Sequence, residues 1–392
     1  MSKRKIRADF RKNRNVRKRE SDLTRRFEAD DTDKQIDEPR QERISGKGEL
    51  TRRRTVVVSH GEQDEAGFAV SPEIDWSICR PGRVLSVHGL LSIVETAEGR
   101  LFGCTTRRLL RTLSTEQRHV VAAGDRVLFR PGDPNSTGTQ PDDTASLPEG
   151  TIERIEPRTS VLSRTVKNKQ HVIVANVDQM VIVTSAAQPR LKPGLIDRLL
   201  ITAEKAKLRA VVCINKIDLA VAADLQPLVG VYSRMGYAVH LISAVHGSGM
   251  QRLRGDLTGR ASVVVGQSGV GKTSVLNAIE PDLGLRVAPI SVENQKGKHT
   301  TTVARLFRLA GGGYLVDTPG VRQFQLWDVI PAEVGGYFRD LRPFANNCKF
   351  PSCTHRHEAD CAVKDAVADG WLDARRYESY CLLYEAGGMN DE

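Results

Sequence analysis

The sequence predicts a multidomain protein with a β-barrel, a central α/β domain and a mostly helical C-terminal part. Five strand-like runs separated by Gly, Pro and Asp turns fall within residues 80–155, a pattern typical of a small barrel. From about residue 171, apolar runs of strand length alternate with helix-like stretches, which indicates a parallel sheet covered on both faces. The 392 residues are enough for two or three domains.

The first 78 residues differ in composition from the rest of the chain. Residues 3–19 contain ten Lys or Arg and one acid, Asp9, in a chain with a formal net charge of +10. A basic block of this kind repels itself and binds polyanions such as nucleic acid. We therefore expect residues 1–78 to be a basic, mostly disordered extension that contacts RNA. A solubilising tail is the alternative.

The sequence favours a cytoplasmic protein that does not enter a membrane. No apolar run approaches the roughly 20 residues that a transmembrane helix needs. The basic start, Met1–Lys5, is not followed by the apolar stretch of a secretory signal. Seven cysteines are present, and three of them lie within residues 348–361, which suits a metal site better than disulfides.

The barrel is predicted over residues 79–166. Its strands are Arg83–Val87, Leu90–Val94, Arg100–Thr105, Asp125–Arg130 and Thr151–Ile155. Their number suits an OB-like, RNA-binding barrel, although the spacing alone fits an SH3-like barrel as well.

The α/β domain is predicted over residues 167–330 and the helical domain over residues 331–392, where Asp373–Ala386 is the last helix. A hairpin is expected where Thr302–Leu309 and Tyr314–Val316 flank three glycines. The predicted strands are Val172–Val174, Gln179–Thr184, Ala210–Ile214, Ala238–Ile242 and Ala261–Val265, and the predicted helices are Leu195–Lys207, Ala222–Met235 and Met250–Leu257.

A phosphate-binding loop follows the strand Ala261–Val265. Residues 266–273 fit G-x-x-x-x-G-K-[ST] and lead into a predicted helix, Thr273–Ile279. Backbone N–H groups of the loop converge on phosphates, and the helix N-terminus adds positive charge. We expect Lys272 to contact the β- and γ-phosphates during catalysis and Thr273 to ligate Mg²⁺. The expected nucleotide contacts here are Gly266, Gln267, Ser268, Gly269, Val270, Gly271, Lys272, Thr273 and Ser274.

Asp317 ends the predicted strand Tyr314–Val316 and begins the motif Asp317-Thr318-Pro319-Gly320. An Asp at this position holds Mg²⁺ directly or through water, so we expect Asp317 and Gly320 to lie at the nucleotide.

A switch segment is expected at Lys298–Thr302, where GTPases use a Thr to sense the γ-phosphate through Mg²⁺. We assign Thr301 this role, although the sequence leaves the choice among Thr300, Thr301 and Thr302 open. A plain strand start is the alternative.

The base is predicted to be guanine. Asn215-Lys216-Ile217-Asp218 follows the strand Ala210–Ile214, where ligands bind in parallel sheets. The Asp218 carboxylate can accept from guanine N1–H and the N2 amine, and adenine lacks this pair of donors. Ser243 and Ala244 follow the next strand, where a backbone N–H can reach guanine O6.

The order of these motifs indicates a circular permutation. In ordinary GTPases the phosphate loop comes first and Asn-Lys-x-Asp comes later, whereas here Asn215–Asp218 precedes Gly266–Thr273. The segment after Asp317 therefore leads directly into the C-terminal domain, so loss of the γ-phosphate should be felt there.

Four residues predict a structural zinc site in the C-terminal part. Cys348, Cys353, His355 and Cys361 lie within 14 residues and can close a tetrahedral Cys₃His site. His357 competes with His355 for the fourth position.

A barrel, a permuted GTPase and a Cys₃His cluster, in this order, resemble the RsgA (YjeQ) family over about residues 80–385. The resemblance implies an OB domain, a GTPase and a zinc-binding domain, with His355 as the fourth zinc ligand. It also implies a role in late assembly of the 30S ribosomal subunit, with GTPase activity stimulated by that subunit. GTP, GDP and 16S rRNA are then the expected partners of a monomeric protein, with Mg²⁺ and one Zn²⁺ as cofactors.

The catalytic water lacks its usual partner, because Val321 stands where many GTPases carry a Gln. His299, in the switch segment, is our candidate for that role, as the family resemblance also suggests. A solvent-facing loop histidine is the alternative, and a group from the ribosome can also serve.

We therefore expect a GTP hydrolase that binds the small subunit and whose hydrolysis permits release. The alternatives are an RNA-binding assembly module with a structural nucleotide, a permuted GTPase for the large subunit, and a small-molecule kinase. Intact Lys272, Thr273 and Asp317 disfavour the first of these. The domain order disfavours the second, and the guanine selectivity predicted from Asp218 disfavours the third.

Overall fold

The computed structural model describes residues 4–9, 53–58, 77–107, 121–132, 147–166, 169–284, 304–317 and 331–388. In the N-terminal extension, strands β1 (Arg4–Asp9) and β2 (Arg53–Val58) pair in antiparallel orientation. The other residues of the extension before Ser77 lie outside the described part, so the disorder expected for residues 1–78 stays a prediction.

The first domain is a closed five-stranded barrel. Its strands pair in the order β3-β4-β5-β7-β6, and β6 closes onto β3. The pair β5–β7 is parallel and the other pairs are antiparallel, which is the Greek-key arrangement of an OB-like barrel. Val84, Val94, Phe129 and Ile152 fill its core. The strands are β3 (Arg80–His88), β4 (Leu91–Glu95), β5 (Leu101–Thr106), β6 (Arg126–Pro131) and β7 (Glu149–Ile155).

A hairpin separates the barrel from the next domain. It consists of β8 (Val161–Val166) and β9 (Lys169–Ala175), which pair in antiparallel orientation. Val172–Val174 was predicted as a strand of the parallel sheet, and this assignment is wrong because the run belongs to β9. Only residues 176–178 separate β9 from the next strand, whereas a parallel crossover needs a dozen or more residues.

The central domain contains a six-stranded sheet in the order β12-β11-β10-β13-β15-β14. Only β14 runs antiparallel to its neighbour. All seven residues of the central strand β10 are buried, as a strand covered on both faces requires. The strands are β10 (Gln179–Ser185), β11 (Arg209–Asn215), β12 (Ala238–Leu241), β13 (Ala261–Val265), β14 (Arg305–Arg308) and β15 (Tyr314–Asp317).

Four helices cover the two faces of this sheet. Leu199 and Tyr232 pack in one apolar cluster, and Leu253 and Leu276 pack in the other. The predicted helices are therefore present, with ends that differ by at most two residues. The predicted β14–β15 hairpin is also present, and its first strand begins at Arg305 rather than Thr302. The helices are α1 (Pro193–Lys205), α2 (Ala222–Arg234), α3 (Met250–Leu257) and α4 (Lys272–Ile279).

The C-terminal domain is helical, as predicted. Val334, Phe338, Leu341 and Tyr380 form its core together with Ile201 of α1, so this domain packs directly on the central one. In the described parts of the chain, no helix has the length and apolar character needed to cross a membrane. The helices are α5 (Pro331–Tyr337), α6 (Arg342–Ala345), α7 (Ala362–Ala368) and α8 (Ala374–Gly388).

A buried ion pair joins α8 to α1. Arg376 is 1% exposed and donates to Asp197 Oδ1 of α1 at 2.6 Å and to both oxygens of Asp340 at 2.9 Å. Tyr232 donates to the same Asp197 oxygen at 2.7 Å. The Arg376 guanidinium also lies 4.4 Å from the Phe338 ring centroid. Burial acts to lower the pKa of Arg376, but the hydrogen bonds that Arg376 donates to the two carboxylates, and their negative charges, raise it overall, so the charge is retained inside the interface.

We predict that Arg376→Met destabilises the protein by about 3–5 kcal/mol, because it leaves buried carboxylates without a cation. Arg375→Met is the matched control, since Arg375 is about a third exposed and pairs with Asp373 of the same turn. Urea unfolding followed by circular dichroism measures both. Equal unfolding midpoints for the two variants would contradict the assigned role of Arg376.

Candidate functional site

The predicted nucleotide motifs meet at one edge of the central sheet. The strand order reverses between β10 and β13, because β11 and β12 lie on one side and β15 and β14 lie on the other. Ligands bind at the carboxyl ends of the strands next to such a reversal. The phosphate loop follows β13, Asn215 ends β11 and Ser243 follows β12, so all three motifs lie at this edge.

The phosphate loop has the backbone geometry that its glycines permit. Gly266 has φ +148° and Gly271 has φ +90°, values that side chains disfavour. A Cβ on Gly266 would lie 2.0 Å from Val183 O, and one on Gly271 would lie 2.6 Å from Asn215 Nδ2. The loop therefore packs so closely on β10 and β11 that Gly266 and Gly271 leave no room for a side chain.

Lys272 begins α4 and folds back over the loop. Its Nζ donates to the carbonyl oxygens of Gly266 and Gln267, each at 2.8 Å. Thr273 and Ser274 follow in the first turn of α4 and are partly exposed. The N-terminus of an α-helix and a lysine ammonium are thus adjacent, which is the arrangement that binds phosphate.

Asn215 connects the base-reading segments to the phosphate loop. Its Nδ2 donates to Val270 O at 2.9 Å, and its Oδ1 accepts from Ala244 N–H at 3.1 Å. The side chain is 2% exposed, so both bonds are shielded from water. One buried amide therefore holds three of the predicted motifs in a fixed relation.

Lys216 adds a second bridge to the phosphate loop. It has the left-handed φ of +62°, and its Nζ donates to Gly269 O at 2.7 Å and to Gln188 O. Ser185 donates to the same Gln188 oxygen at 3.0 Å. The sequence reasoning missed Ser185 and Gln188. Their position at the carboxyl end of β10, the neighbour of the phosphate-loop strand, was the available signal.

Asp218 is an exposed carboxylate fixed from one side. Ser243 Oγ donates to Asp218 Oδ1 at 2.5 Å and accepts the His246 N–H at 3.3 Å. The hydrogen bond from Ser243 lowers the pKa of Asp218, a group at the surface. The carboxylate is therefore ionised at neutral pH, and as an acceptor it can take N–H donors.

The residues predicted to bind Mg²⁺ lie only partly within the described residues. Asp317 ends β15, whose residue Val316 pairs with Val263 of the phosphate-loop strand. The strand pairing thus brings Asp317 to the edge that carries Thr273. The predicted residues His299, Thr301 and Gly320 lie outside the described residues, and their roles stay predictions.

The four predicted zinc ligands converge in the C-terminal domain. The ligand atoms of Cys348, Cys353, His355 and Cys361 all lie within 4.8 Å of one another. Cys348 Sγ is 3.3 Å from His355 Nδ1 and 3.8 Å from Cys361 Sγ. With Zn–S bonds of about 2.3 Å, a tetrahedral Cys₃His site produces ligand spacings of this size, so the donor set fits a structural zinc ion.

His355 is selected over His357 by the fold of the loop. His355 is 8% exposed and has φ +57°, whereas the His357 side chain is 80% exposed. Tyr377 donates to His355 O at 2.8 Å and Tyr380 donates to Thr354 O at 2.7 Å. The sequence reasoning missed these two supporting tyrosines, which lie on one face of α8.

The fold and the site together define a P-loop GTPase whose motifs follow one another in circularly permuted order. A family model described as "RsgA GTPase" matches residues 155–327. The "Small ribosomal subunit biogenesis GTPase RsgA" of Sodalis glossinidius is 36% identical over 331 residues, which are 83% of this chain and 91% of that protein. The protein of the same name from Chlorobaculum parvum is 39% identical over 313 residues, 78% of this chain and 97% of its own.

Solved structures agree. YjeQ from Thermotoga maritima superposes with a TM-score of 0.62 at 34% identity, over 79% of this chain and 98% of its own. YloQ, described as a circularly permuted GTPase, superposes with a TM-score of 0.61 at 27% identity, over 80% of this chain and 96% of its own. The chain therefore belongs to the RsgA GTPase family and is a GTP hydrolase.

We predict that His355→Ala abolishes binding of one equivalent of zinc and lowers the melting temperature, because a structural zinc site needs all four ligands. His357→Ala should keep the metal, since its side chain lies in solvent. Metal analysis of the purified variants measures both. A zinc loss in His357→Ala equal to that in His355→Ala would show that the ligand assignment is wrong.

Proposed function

We propose that this GTPase acts in the late maturation of the small ribosomal subunit, that the 30S subunit stimulates its hydrolysis of GTP, and that hydrolysis is linked to release. The observation that carries the proposal is that one chain combines an OB-like barrel with a phosphate-loop motif joined to the predicted base-reading segment by Asn215. Curated relatives that match about four fifths of the chain are named for small-subunit biogenesis.

Guanine selection is assigned to Asp218 and to the backbone beside it. An ionised carboxylate accepts two hydrogen bonds from guanine, and adenine would leave it unpaired. Ala244 N–H and the Asn215 bridge support this part of the site, because they fix the strand ends around the base. The phosphates are assigned to the loop from Gly266 to Thr273, where Lys272 neutralises developing charge.

Mg²⁺ is assigned to Thr273 and Asp317, and when bound it neutralises charge on the β- and γ-phosphates. No side chain directly after Asp317–Gly320 can orient water, since that position is Val321. His299, or a group of the ribosome, takes this role in our proposal. Slow hydrolysis by the free protein follows, and docking can then control turnover.

The RNA contacts are assigned to the barrel and to the basic residues of the extension, which meet 16S rRNA through charge and stacking. The protein acts as a cytoplasmic monomer. Zn²⁺ has a structural role, since the four protein ligands leave no open position for chemistry.

We predict that Asp218→Asn weakens GTP binding about 100-fold, because an amide cannot accept both guanine donors. The same variant should gain affinity for XTP, whose base offers an N–H and a carbonyl to an amide. Asp224→Asn, an exposed change in α2, is the matched control. Competition binding with a fluorescent nucleotide measures these affinities, and unchanged GTP preference would contradict the role of Asp218.

The central experiment is GTP turnover with 30S subunits, with 50S subunits and alone, for the wild type and Lys272→Ala. We expect 30S to raise turnover by at least about tenfold over the free protein, which is modest for a docked activator. Lys272→Ala should lose the activity in every condition. Equal turnover with 30S, with 50S and without subunits would contradict the proposal. Stimulation by 50S but not by 30S would identify the large subunit as the partner.

A further inference from the structure

The β14–β15 hairpin lies between the two segments predicted to sense the γ-phosphate. Residues 298–302 precede β14, and Asp317 ends β15. Arg305 pairs with Asp317 at the nucleotide end, and Arg308 pairs with Tyr314 at the opposite end. Because β14 and β15 are paired through backbone hydrogen bonds, a displacement of this hairpin moves Asp317.

The barrel contacts the hairpin at the end opposite the predicted nucleotide site. Tyr314 Oη donates to Glu95 Oε2 at 2.8 Å, and Arg308 Nη1 lies 3.5 Å from Glu95 Oε1. Glu95 ends β4 of the barrel and is only 7% exposed. Both strands of the hairpin thus converge on one carboxylate of the barrel, shielded from bulk water, where hydrogen bonds to charge are strongest.

A second barrel residue fixes the Tyr314 ring. The Arg83 guanidinium lies 4.5 Å from the ring centroid, which is a cation–π distance. Arg83 Nη2 also donates to Asn176 O at 2.6 Å, and Asn176 lies just before β10. The barrel therefore holds β15 and the start of β10 at the same time, and Tyr314 is fixed through both its ring and its hydroxyl.

Strand β15 connects these barrel contacts to the edge of the sheet at which the nucleotide motifs lie. Tyr314 is three residues from Asp317, and its neighbours Leu315 and Val316 are buried and pair with β13, the phosphate-loop strand. A buried strand held on both sides moves as a unit, because packed interiors do not deform continuously.

We propose that Glu95 and Tyr314 are positioning residues for GTP hydrolysis, through which the barrel sets the place of the strand that carries Asp317. What binds the barrel then changes the nucleotide site, and the bound nucleotide changes the affinity of the barrel by the same factor. This inference rests on the proposed function for the identity of the barrel's ligand, but it does not depend on that function for its test.

The test compares Tyr314→Phe, which keeps the ring over Arg83 and removes only the bond to Glu95, with the matched control Tyr337→Phe. Tyr337 bonds Glu333 within α5 at 3.4 Å, on an exposed surface. Turnover of GTP by the free protein is titrated with Mg²⁺. We expect Tyr314→Phe to raise the Mg²⁺ concentration for half-maximal turnover about fivefold, the lower end of usual coupling factors. The rate at saturating Mg²⁺ should recover toward the wild-type value.

Glu95 supplies the second pair of variants. Glu95→Gln keeps an acceptor for Tyr314 but loses the charge, so its Mg²⁺ midpoint should lie between those of wild type and Glu95→Ala. Glu95→Ala should match Tyr314→Phe. A purely structural role predicts instead a lower maximal rate with an unchanged Mg²⁺ midpoint. Unchanged Mg²⁺ midpoints in both Tyr314→Phe and Glu95→Ala would overturn the inference.

The 30S subunit separates this inference from the proposed function. With 30S added, Tyr314→Phe should lose about fivefold of the stimulation seen in wild type, again at the lower end of coupling factors. A wild type that 30S does not stimulate would sink the proposed function, and the Mg²⁺ titration of the free protein would still decide the inference.

Discussion

The parallel pairing of β10 with both β11 and β13 is the constraint on which the nucleotide site depends. The predicted base-reading segment Asn215–Asp218 and the phosphate loop are separated by α2, β12, α3 and β13, so no short loop joins them. Their relation is therefore set across the sheet. The buried amide of Asn215 completes that relation, because it donates to the phosphate loop and accepts from Ala244. Strand pairing places the segments, and one side chain fixes their spacing.

The sheet strands that carry the predicted ligand motifs were predictable, because apolar runs of strand length have strong local signatures. The run Ala261–Val265 before a glycine-rich loop and the run Ala210–Ile214 before Asn215 identified two strand ends of the site. The closure of the barrel was harder to predict from the sequence, since strand spacing does not specify which strands pair. The error at Val172–Val174 has the same cause, because an apolar run of three residues does not indicate its partner.

Contacts between domains could not be predicted from the sequence, for a different reason. Arg376 and Asp197 are 179 residues apart, and each resembles an ordinary charge on an amphipathic helix. Glu95 and Tyr314 are 219 residues apart. No periodicity or motif relates such residues, because their pairing arises only when two folded surfaces meet. The cluster of Cys348, Cys353, His355 and Cys361 was predictable by contrast, since the four residues lie close together in sequence and the chemistry of metal ligands restricts the choice.

These contacts divide the central domain into two halves with different attachments. The base-reading half includes α1, and Arg376 joins that helix to the C-terminal domain. The phosphate half includes β15, and Glu95 joins that strand to the barrel. In our proposal the bound nucleotide spans both halves, and hydrolysis alters only its phosphate end. Loss of the γ-phosphate should therefore act first on the barrel through the hairpin. It should then reach the C-terminal domain through the chain that follows Asp317, because permutation makes that segment the covalent link.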